Sequence, residues 1–337
     1  MQDQRSGTLR FFDQGFTMSS NQFRLIAPPT TAFHIDGSLN LEVVERHAQL
    51  LVDTTVNGLF VAGSTGEGQS LSTDERIRSA QRWMDVTSGT DLEVIIQVGH
   101  NSLPDAVALA EHAQRIGADS IAASSPCYFK PAGVEELIEF LVPVAAAAGD
   151  LPFYFYEIPP LTNVVLPMAE FLEKAKPRIP NLVGLKYSNI DLMQMQQCVC
   201  MNDGEFEVLF GSDQQLLAAV ALGARGAVGS TYNFAAPLYR RMLAAFDRGD
   251  HEEARKLQAK SVEIVAIMAR HSFLSACKLL LTELGIESGP VRPPIRNLTS
   301  QQREELLADL HVAGVFDLQR TAVPEATGVM VDGQESE

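Results

Sequence analysis

Short apolar runs alternate along this chain with longer segments whose apolar residues recur every three or four positions. The first run, Phe23-Arg24-Leu25-Ile26-Ala27, is stopped by Pro28-Pro29 and reads as a strand. Asn40 is placed to cap a helix with apolar positions Leu41, Val44, Leu51 and Val52. Gly58-Leu59-Phe60-Val61-Ala62 reads as a second strand, and Ser72 with Glu75 forms a capping box for the helix that carries Ile77 and Trp83. Residues 93–98 predict a third strand, Ser102 with Asp105 opens the next helix and Gly117 closes it. Residues 119–123 predict a fourth strand, followed by an alanine-rich helix over 134–148.

The second half repeats the rhythm. Strands are predicted at 153–156, 182–186, 207–210 and 226–228. Helices are predicted between them, one with Pro167 at its first position, one from Asp191 and one through 214–222. Such alternation of short apolar strands with helices predicts an α/β fold, a parallel (β/α)8 TIM barrel, rather than an open sheet. After Ala236 no strand signal recurs, and segments near 238–248, 252–270 and 275–284 read as helices. The expected organisation is a leader over 1–20, a barrel over 21–235, a C-terminal helical extension over 236–315 packed on that barrel as one domain, and an acidic, disordered tail over 316–337.

A chain of 337 residues with 46% hydrophobic residues is long enough for a large core. The formal charge of −16 argues against nucleic acid and anionic membrane as partners. A small anionic substrate would meet the same repulsion and need local donors in its pocket. Phe11, Phe12 and Phe16 in the leader are interrupted by Asp3, Asp13 and Gly15, which fits neither a signal sequence nor a membrane span. Cys127, Cys198, Cys200 and Cys277 form no metal-ligand pattern and read as free thiols of a cytoplasmic protein. The seven histidines give no metal pair at helical spacing; His100 alone falls at a strand end and reads as pocket lining.

In a barrel of this kind chemistry sits at the carboxyl ends of the strands. Those ends carry Gly63-Ser64-Thr65-Gly66-Glu67, Ser124-Ser125-Pro126-Cys127-Tyr128, Tyr156-Glu157-Ile158-Pro159, Lys186-Tyr187-Ser188, Gly211-Ser212-Asp213 and Gly229-Ser230-Thr231. Glycine, serine and threonine are ordinary loop residues, so any one cluster has a purely structural reading; their convergence on one rim is what counts. Strand parity places Leu182, Gly184 and Lys186 on one face, with Val183 and Leu185 on the other. Tyr154 and Tyr156 share a face on the preceding strand, which brings Tyr156 beside Lys186 at roughly 5 Å in the pairing direction. Gly184, a layer below, is expected to leave the lysine stem room. A desolvated strand-end amine suits Schiff-base chemistry with a ketone, while a solvated lysine closing a strand is the competing reading. Gly63-Ser64-Thr65-Gly66 can offer backbone N–H groups and two hydroxyls to a carboxylate, and a phenol at Tyr156 can relay protons. No metal cage is apparent, so carbonyl activation falls to the lysine and no separate cofactor is expected.

These residues resemble the dihydrodipicolinate synthase/N-acetylneuraminate lyase superfamily of class I aldolases. The Gly-Ser-Thr-Gly-Glu loop, Tyr156-x-x-Pro159 and Gly184-Leu185-Lys186-x-Ser188 carry the resemblance, which runs from about Phe23 to Leu310. Within the superfamily the likeness leans to the animal-type N-acetylneuraminate lyases, through Ile116-Gly117-Ala118-Asp119, the run from Leu151 to Tyr156, Leu209-Phe210-Gly211 and the run from Gly226 to Asn233. The resemblance implies that Lys186 is the Schiff-base lysine, Tyr156 the catalytic tyrosine and Tyr128 an aromatic on the proton-relay side. It implies that Ser64 and Thr65 hold a pyruvate carboxylate, and that Ser188, Gly211, Asp213, Gln214 and Ser230 hold the sugar portion. It also implies sialic acid and pyruvate as small-molecule partners and a homotetramer. Leu161 stands where the synthase branch carries an arginine, which speaks against that branch, and Gln214 stands where the lyases usually carry glutamate. The rival readings are an aldolase for another 2-keto acid acting through the same lysine, and a non-catalytic sugar or keto-acid sensor on the same barrel.

Overall fold

Eight parallel strands close into a barrel in sequence order, β1 (Arg24–Ala27), β2 (Gly58–Val61), β3 (Glu93–Gln97), β4 (Ser120–Ser124), β5 (Phe153–Glu157), β6 (Leu182–Tyr187), β7 (Glu207–Phe210) and β8 (Gly226–Val228). β8 pairs back onto β1 through Arg24–Gly226, Leu25–Ala227 and Ile26–Val228, which leaves no open edge. This is the expected TIM barrel, seen in a computed structural model that describes residues 23–318. The expected leader over 1–20 lies outside the described residues. The expected tail lies largely outside them too, but its first residues are structured: Val315–Asp317 form a 3₁₀ turn, and Leu318 is buried.

Alternation along each strand sorts side chains into two cores. Ile26, Phe60, Ile95, Ala122, Tyr154, Tyr156, Leu209 and Val228 fill the barrel interior. The alternate residues, such as Leu25, Leu59, Val94, Phe155 and Leu185, face the surrounding helices in a second and larger core. The helices are α1 (Val44–Asp53), α2 (Thr73–Thr87), α3 (Leu103–Arg115), α4 (Val134–Ala147), α5 (Pro159–Thr162), α6 (Met168–Ala175), α7 (Leu192–Cys200), α8 (Leu216–Ala221), α9 (Tyr232–Asp247), α10 (His251–Ala269), α11 (Phe273–Glu283) and α12 (Ser300–Val312).

Several local expectations are refined. The Ser72–Glu75 capping box at α2 is present in both directions. Asn40 does not cap α1; its side chain accepts from Glu42 N at 3.0 Å in a local turn, and α1 starts at Val44. α12 was not among the expected segments, although Thr299 and Gln302 form a complete capping box ahead of it. The expected barrel boundary at 235/236 falls inside α9, at a kink where Ala235 leaves helical geometry ahead of Pro237.

The parity expected for β6 holds only from Gly184 onward. Phe153 pairs with Leu182 but Tyr154 pairs with Gly184, so Val183 is an extra residue on β6. Leu182 therefore turns to the outer core and Val183 packs toward the interior, the reverse of the expected faces. Gly184 also has a different reason from the one expected: a Cβ there would lie 1.8 Å from the Glu207 carbonyl oxygen, so the close approach of β7 demands glycine.

Candidate active site

Lys186 is the last interior-facing residue of β6, and the strand ladder sets it directly opposite Tyr156. Its Nζ lies 3.6 Å from the Phe60 ring centroid and 4.0 Å from that of Tyr156. The two rings themselves meet edge to face at 5.3 Å. Only 3% of Lys186 is exposed. Burial holds its amine well below the usual lysine range, against an opposing pull from the Asp213 carboxylate. A larger share of the side chain is thus the neutral nucleophile.

The Tyr156 hydroxyl lies 3.2 Å from Ser64 Oγ, and the Ser188 hydroxyl supports it as well. Burial raises the phenol above its ordinary value, and the two serine contacts pull it part of the way back. A proton can therefore pass along hydroxyls at this point, while the phenol resists becoming a free phenolate.

The Gly63–Glu67 loop crosses beside the lysine. A Cβ on Gly63 would come within 2.8 Å of the Phe60 ring and 3.8 Å of Lys186 Nζ, so this glycine lets the chain pass over the amine. Ala62 and Glu67 bracket the loop with left-handed backbone, φ 56° and 52°. Such angles are costly for residues with a Cβ and persist only when neighbours hold them. Thr31 Oγ1 donates to the Gly66 carbonyl at 2.6 Å, and Thr65 Oγ1 lies 2.7 Å from Ser230 Oγ.

Ser64, Thr65, Tyr156, Lys186, Ser188, Gly211, Gln214 and Ser230 all line one cavity of about 280 Å³ at the carboxyl ends of the strands. Two other expected residues lie apart from it. Asp213 is buried, its Oδ2 accepting from Thr231 N at 3.0 Å and from Thr231 Oγ1 at 2.7 Å. It sits behind the cavity wall, with Oδ1 against Gly229. Burial raises its carboxyl above the ordinary value, and the Thr231 hydrogen bonds oppose that shift. Tyr128 is 79% exposed and packs edge to face on Phe129 at 5.0 Å, outside the cavity.

His100 and Cys127 line a smaller chamber of about 70 Å³ that shares Ser64, Tyr156 and Ile158 with the main cavity. Leu161 borders it too. A hollow of about 410 Å³ at the opposite face, between α4 and residues 178–181, carries none of these groups. Among the described residues, no group of three or more His, Cys, Asp or Glu side chains is placed to hold a metal ion, and no single helix is long and apolar enough to cross a membrane.

Pro28, Pro160, Asn189 and Ile190, to which the sequence assigned no place in the site, also line the main cavity, as does Ser212 of the cluster after β7. Sequence reasoning passed over His47, whose Nε2 lies 3.0 Å from Asn233 Oδ1. The Asn233 amide in turn donates to the carbonyls of Pro28 and Ser230, at 2.8 and 2.9 Å, and so ties two cavity segments together. Burial lowers His47 to about 4, so a neutral imidazole sits there at physiological pH. The capacity of a loop residue to line a site has no period or spacing to announce it.

The model of the dihydrodipicolinate synthetase family matches residues 21–313. The chain belongs to that family. Among relatives, it is 40% identical over 292 residues to the N-acetylneuraminate lyase of Homo sapiens, covering 85% of this chain and 91% of that protein. It is 38% identical over 291 residues to the N-acetylneuraminate lyase of Danio rerio, covering 85% and 95%. Among solved structures, the N-acetylneuraminate lyase of Proteus mirabilis superposes with a TM-score of 0.84 at 36% identity, covering 87% of this chain and 99% of that one. Membership in the dihydrodipicolinate synthetase family places the closed barrel and its strand-end cavity among proteins of the same architecture over nearly the whole described chain.

Proposed function

We propose that this protein is an N-acetylneuraminate lyase, a class I aldolase that reversibly splits N-acetylneuraminate into pyruvate and N-acetylmannosamine. The observation that carries the reading is the desolvated Lys186 amine held against Tyr156 at the tips of adjacent strands. The relatives' shared activity supports the substrate.

In this reading the neutral Lys186 Nζ attacks the C2 ketone of the open-chain sugar acid. Loss of water from the carbinolamine leaves an iminium, which is the electron sink. Ser64 and Thr65 hold the substrate carboxylate, whose charge the loop offsets without an arginine. Tyr156, with that carboxylate, removes the C4 hydroxyl proton. The C3–C4 bond then breaks, its electrons enter the iminium as an enamine, and the aldehyde of N-acetylmannosamine leaves. Protonation at C3 and addition of water release pyruvate and restore Lys186. Ser188, Gly211, Gln214 and Ser230 line the remaining volume for the polyol.

We also infer a homotetramer in the cytoplasm. Tyr128, Phe129, Leu161 and Val165 leave a largely exposed apolar rim that favours assembly, and the free cysteines suit a reducing compartment.

Borohydride trapping with pyruvate, read by mass, tests the chemistry: the reading requires one reduced adduct, on Lys186. Pyruvate release from N-acetylneuraminate and from 2-keto-3-deoxygluconate tests the substrate. Cleavage of only the second compound would overturn the assignment.

A further inference from the structure

Glu67 closes the Gly63–Glu67 loop, yet its side chain points away from the cavity and is fully buried. Its Oε1 lies 2.6 Å from Lys278 Nζ on α11, a charge contact between groups with side-chain exposures of 2% and 0%. Its Oε2 accepts from Arg292 N at 2.8 Å. Lys278 also donates to the Pro290 carbonyl at 2.7 Å. The Arg292 guanidinium grips Glu75 of the α2 capping box at 2.5 and 2.7 Å, and donates to the carbonyls of Ser70 and Gly37 at 3.0 and 2.8 Å. Both cations stand 4.2 Å from the centroid of the buried Phe33 ring. The α11 lysine and the segment after α11 are thereby laced to the second half of the turn that follows β2 and to the first turn of α2.

A buried charge pair is a poor source of net stability, because desolvation offsets most of the attraction. What it does supply is a fixed position: neither partner can leave without stranding a charge. Here the fixed residue is a non-glycine held at φ 52°, two positions beyond Thr65. The loop also closes on itself, with Glu67 N donating to the Ser64 carbonyl at 3.1 Å and Gly68 N to the Gly63 carbonyl at 3.0 Å. A shift of the Glu67 side chain would therefore move the backbone that carries Ser64 and Thr65.

We propose that Glu67 and Lys278 are positioning residues through which the C-terminal helical extension sets the carboxylate-binding loop of the active site. The proposal rests on the aldolase reading above. It makes the extension a part of the site's geometry, acting on affinity for the 2-keto acid carboxylate rather than on the amine itself.

The test is pyruvate-dependent borohydride trapping on the full-length chain, read as half-saturating pyruvate and as the trapped fraction at saturation, beside KM and kcat. Lys278→Met strands Glu67, so the pair is also neutralised together in Glu67→Gln/Lys278→Met, which keeps the shape without the charges. Expected for the double variant is a rise of about tenfold or more in half-saturating pyruvate and in KM. Saturated trapping and kcat should stay within about threefold, and Lys278→Arg should recover most of the affinity. A folded double variant whose half-saturation stays within twofold of the parent overturns the proposal, as does a loss confined to kcat. Absence of any adduct in the parent protein would strike the aldolase reading instead, so the two failures are distinguishable.

Discussion

Lys186 Nζ stands over the ring of Tyr156, 4.0 Å from its centroid, on residues paired across β5 and β6. An amine in that place pays for its reactivity in solvation. Its pKa is lower in the folded chain than in the unfolded one, so the unfolded state binds more protons between the two values, and folding stability rises with pH across that window. Below the window the folded protein must carry a buried ammonium. Lys186→Met should therefore abolish the pyruvate adduct and reduce turnover to background, while raising stability at pH 7. Thermal denaturation of parent and variant from pH 6 to 10 checks this, with the gap narrowing as pH climbs. A variant that is less stable at every pH would contradict the desolvation argument.

The phenol of Tyr156 should separate from the lysine in a kinetic test. Tyr156→Phe keeps the ring against Phe60 and Lys186 and removes only the hydroxyl that meets Ser64. Proton relays of this kind contribute roughly 10²–10⁴ in rate. Turnover should fall in that range, while borohydride still traps an adduct at Lys186. Equal loss of trapping and turnover would show that the hydroxyl acts earlier than the carbon–carbon step.

The lysine–tyrosine pairing was legible in the sequence because both residues end their strands, and parity counted back from a strand end is robust over two or three positions. The inserted Val183 was not legible, since it arises from the approach of the β7 backbone at Gly184 rather than from any pattern in β6. Ser64, Thr65, Ser188, Gly211 and Ser230 could be placed on the rim because strand ends converge in a closed barrel, whereas Gln214 was reached only through the family resemblance. The buried position of Asp213 behind the wall was not legible, because a residue one position from a cavity wall can face either way. α12 offered few apolar positions, Leu306, Leu307 and Leu310, to mark its period. The Glu67–Lys278 contact joins segments from opposite ends of the chain, which only the closed barrel brings together.

Glu157 follows Tyr156 but belongs to the outer side of the strand. It is 3% exposed, and its Oε1 accepts from Asn189 at 2.9 Å while Oε2 is buried without a partner. Burial raises its carboxyl to about 7, with Asn189 opposing the shift and Asp191 adding to it. For an acid raised in this way, the folded state holds the extra proton between about 4.5 and about 7. Stability is then full below that window and falls as pH rises through it. Glu157→Gln should flatten this slope and be more stable above pH 7, by on the order of 3 kcal/mol at most. Asn189 lines the cavity, so the variant should also lose any break near pH 7 in KM for the sugar acid. Chemical denaturation at pH 5 and pH 8 settles the sign; a variant gaining nothing at pH 8 relative to pH 5 would refute it.

Asp213 and Gln214 are sequence neighbours with opposite exposures, and their variants should differ accordingly. Asp213→Asn puts an amide opposite the Thr231 N–H and hydroxyl, where the carboxylate now accepts both. An unmet buried donor costs roughly 1–3 kcal/mol, so the expected effect is a lower melting temperature. Removal of the Asp213 charge should also push the Lys186 amine still lower, extending trapping to more acidic pH. Gln214 is exposed at the cavity wall and can both donate to and accept from a polyol. Gln214→Glu loses the donors and adds a charge next to an anionic substrate. Its stability and its half-saturating pyruvate should stay close to the parent's, while relative KM values among sialic acids with different side chains shift severalfold. Steady-state kinetics on N-acetylneuraminate and its N-glycolyl counterpart provide the measurement. Unchanged ratios would place the sugar's polyol elsewhere in the cavity, away from the turn that follows β7.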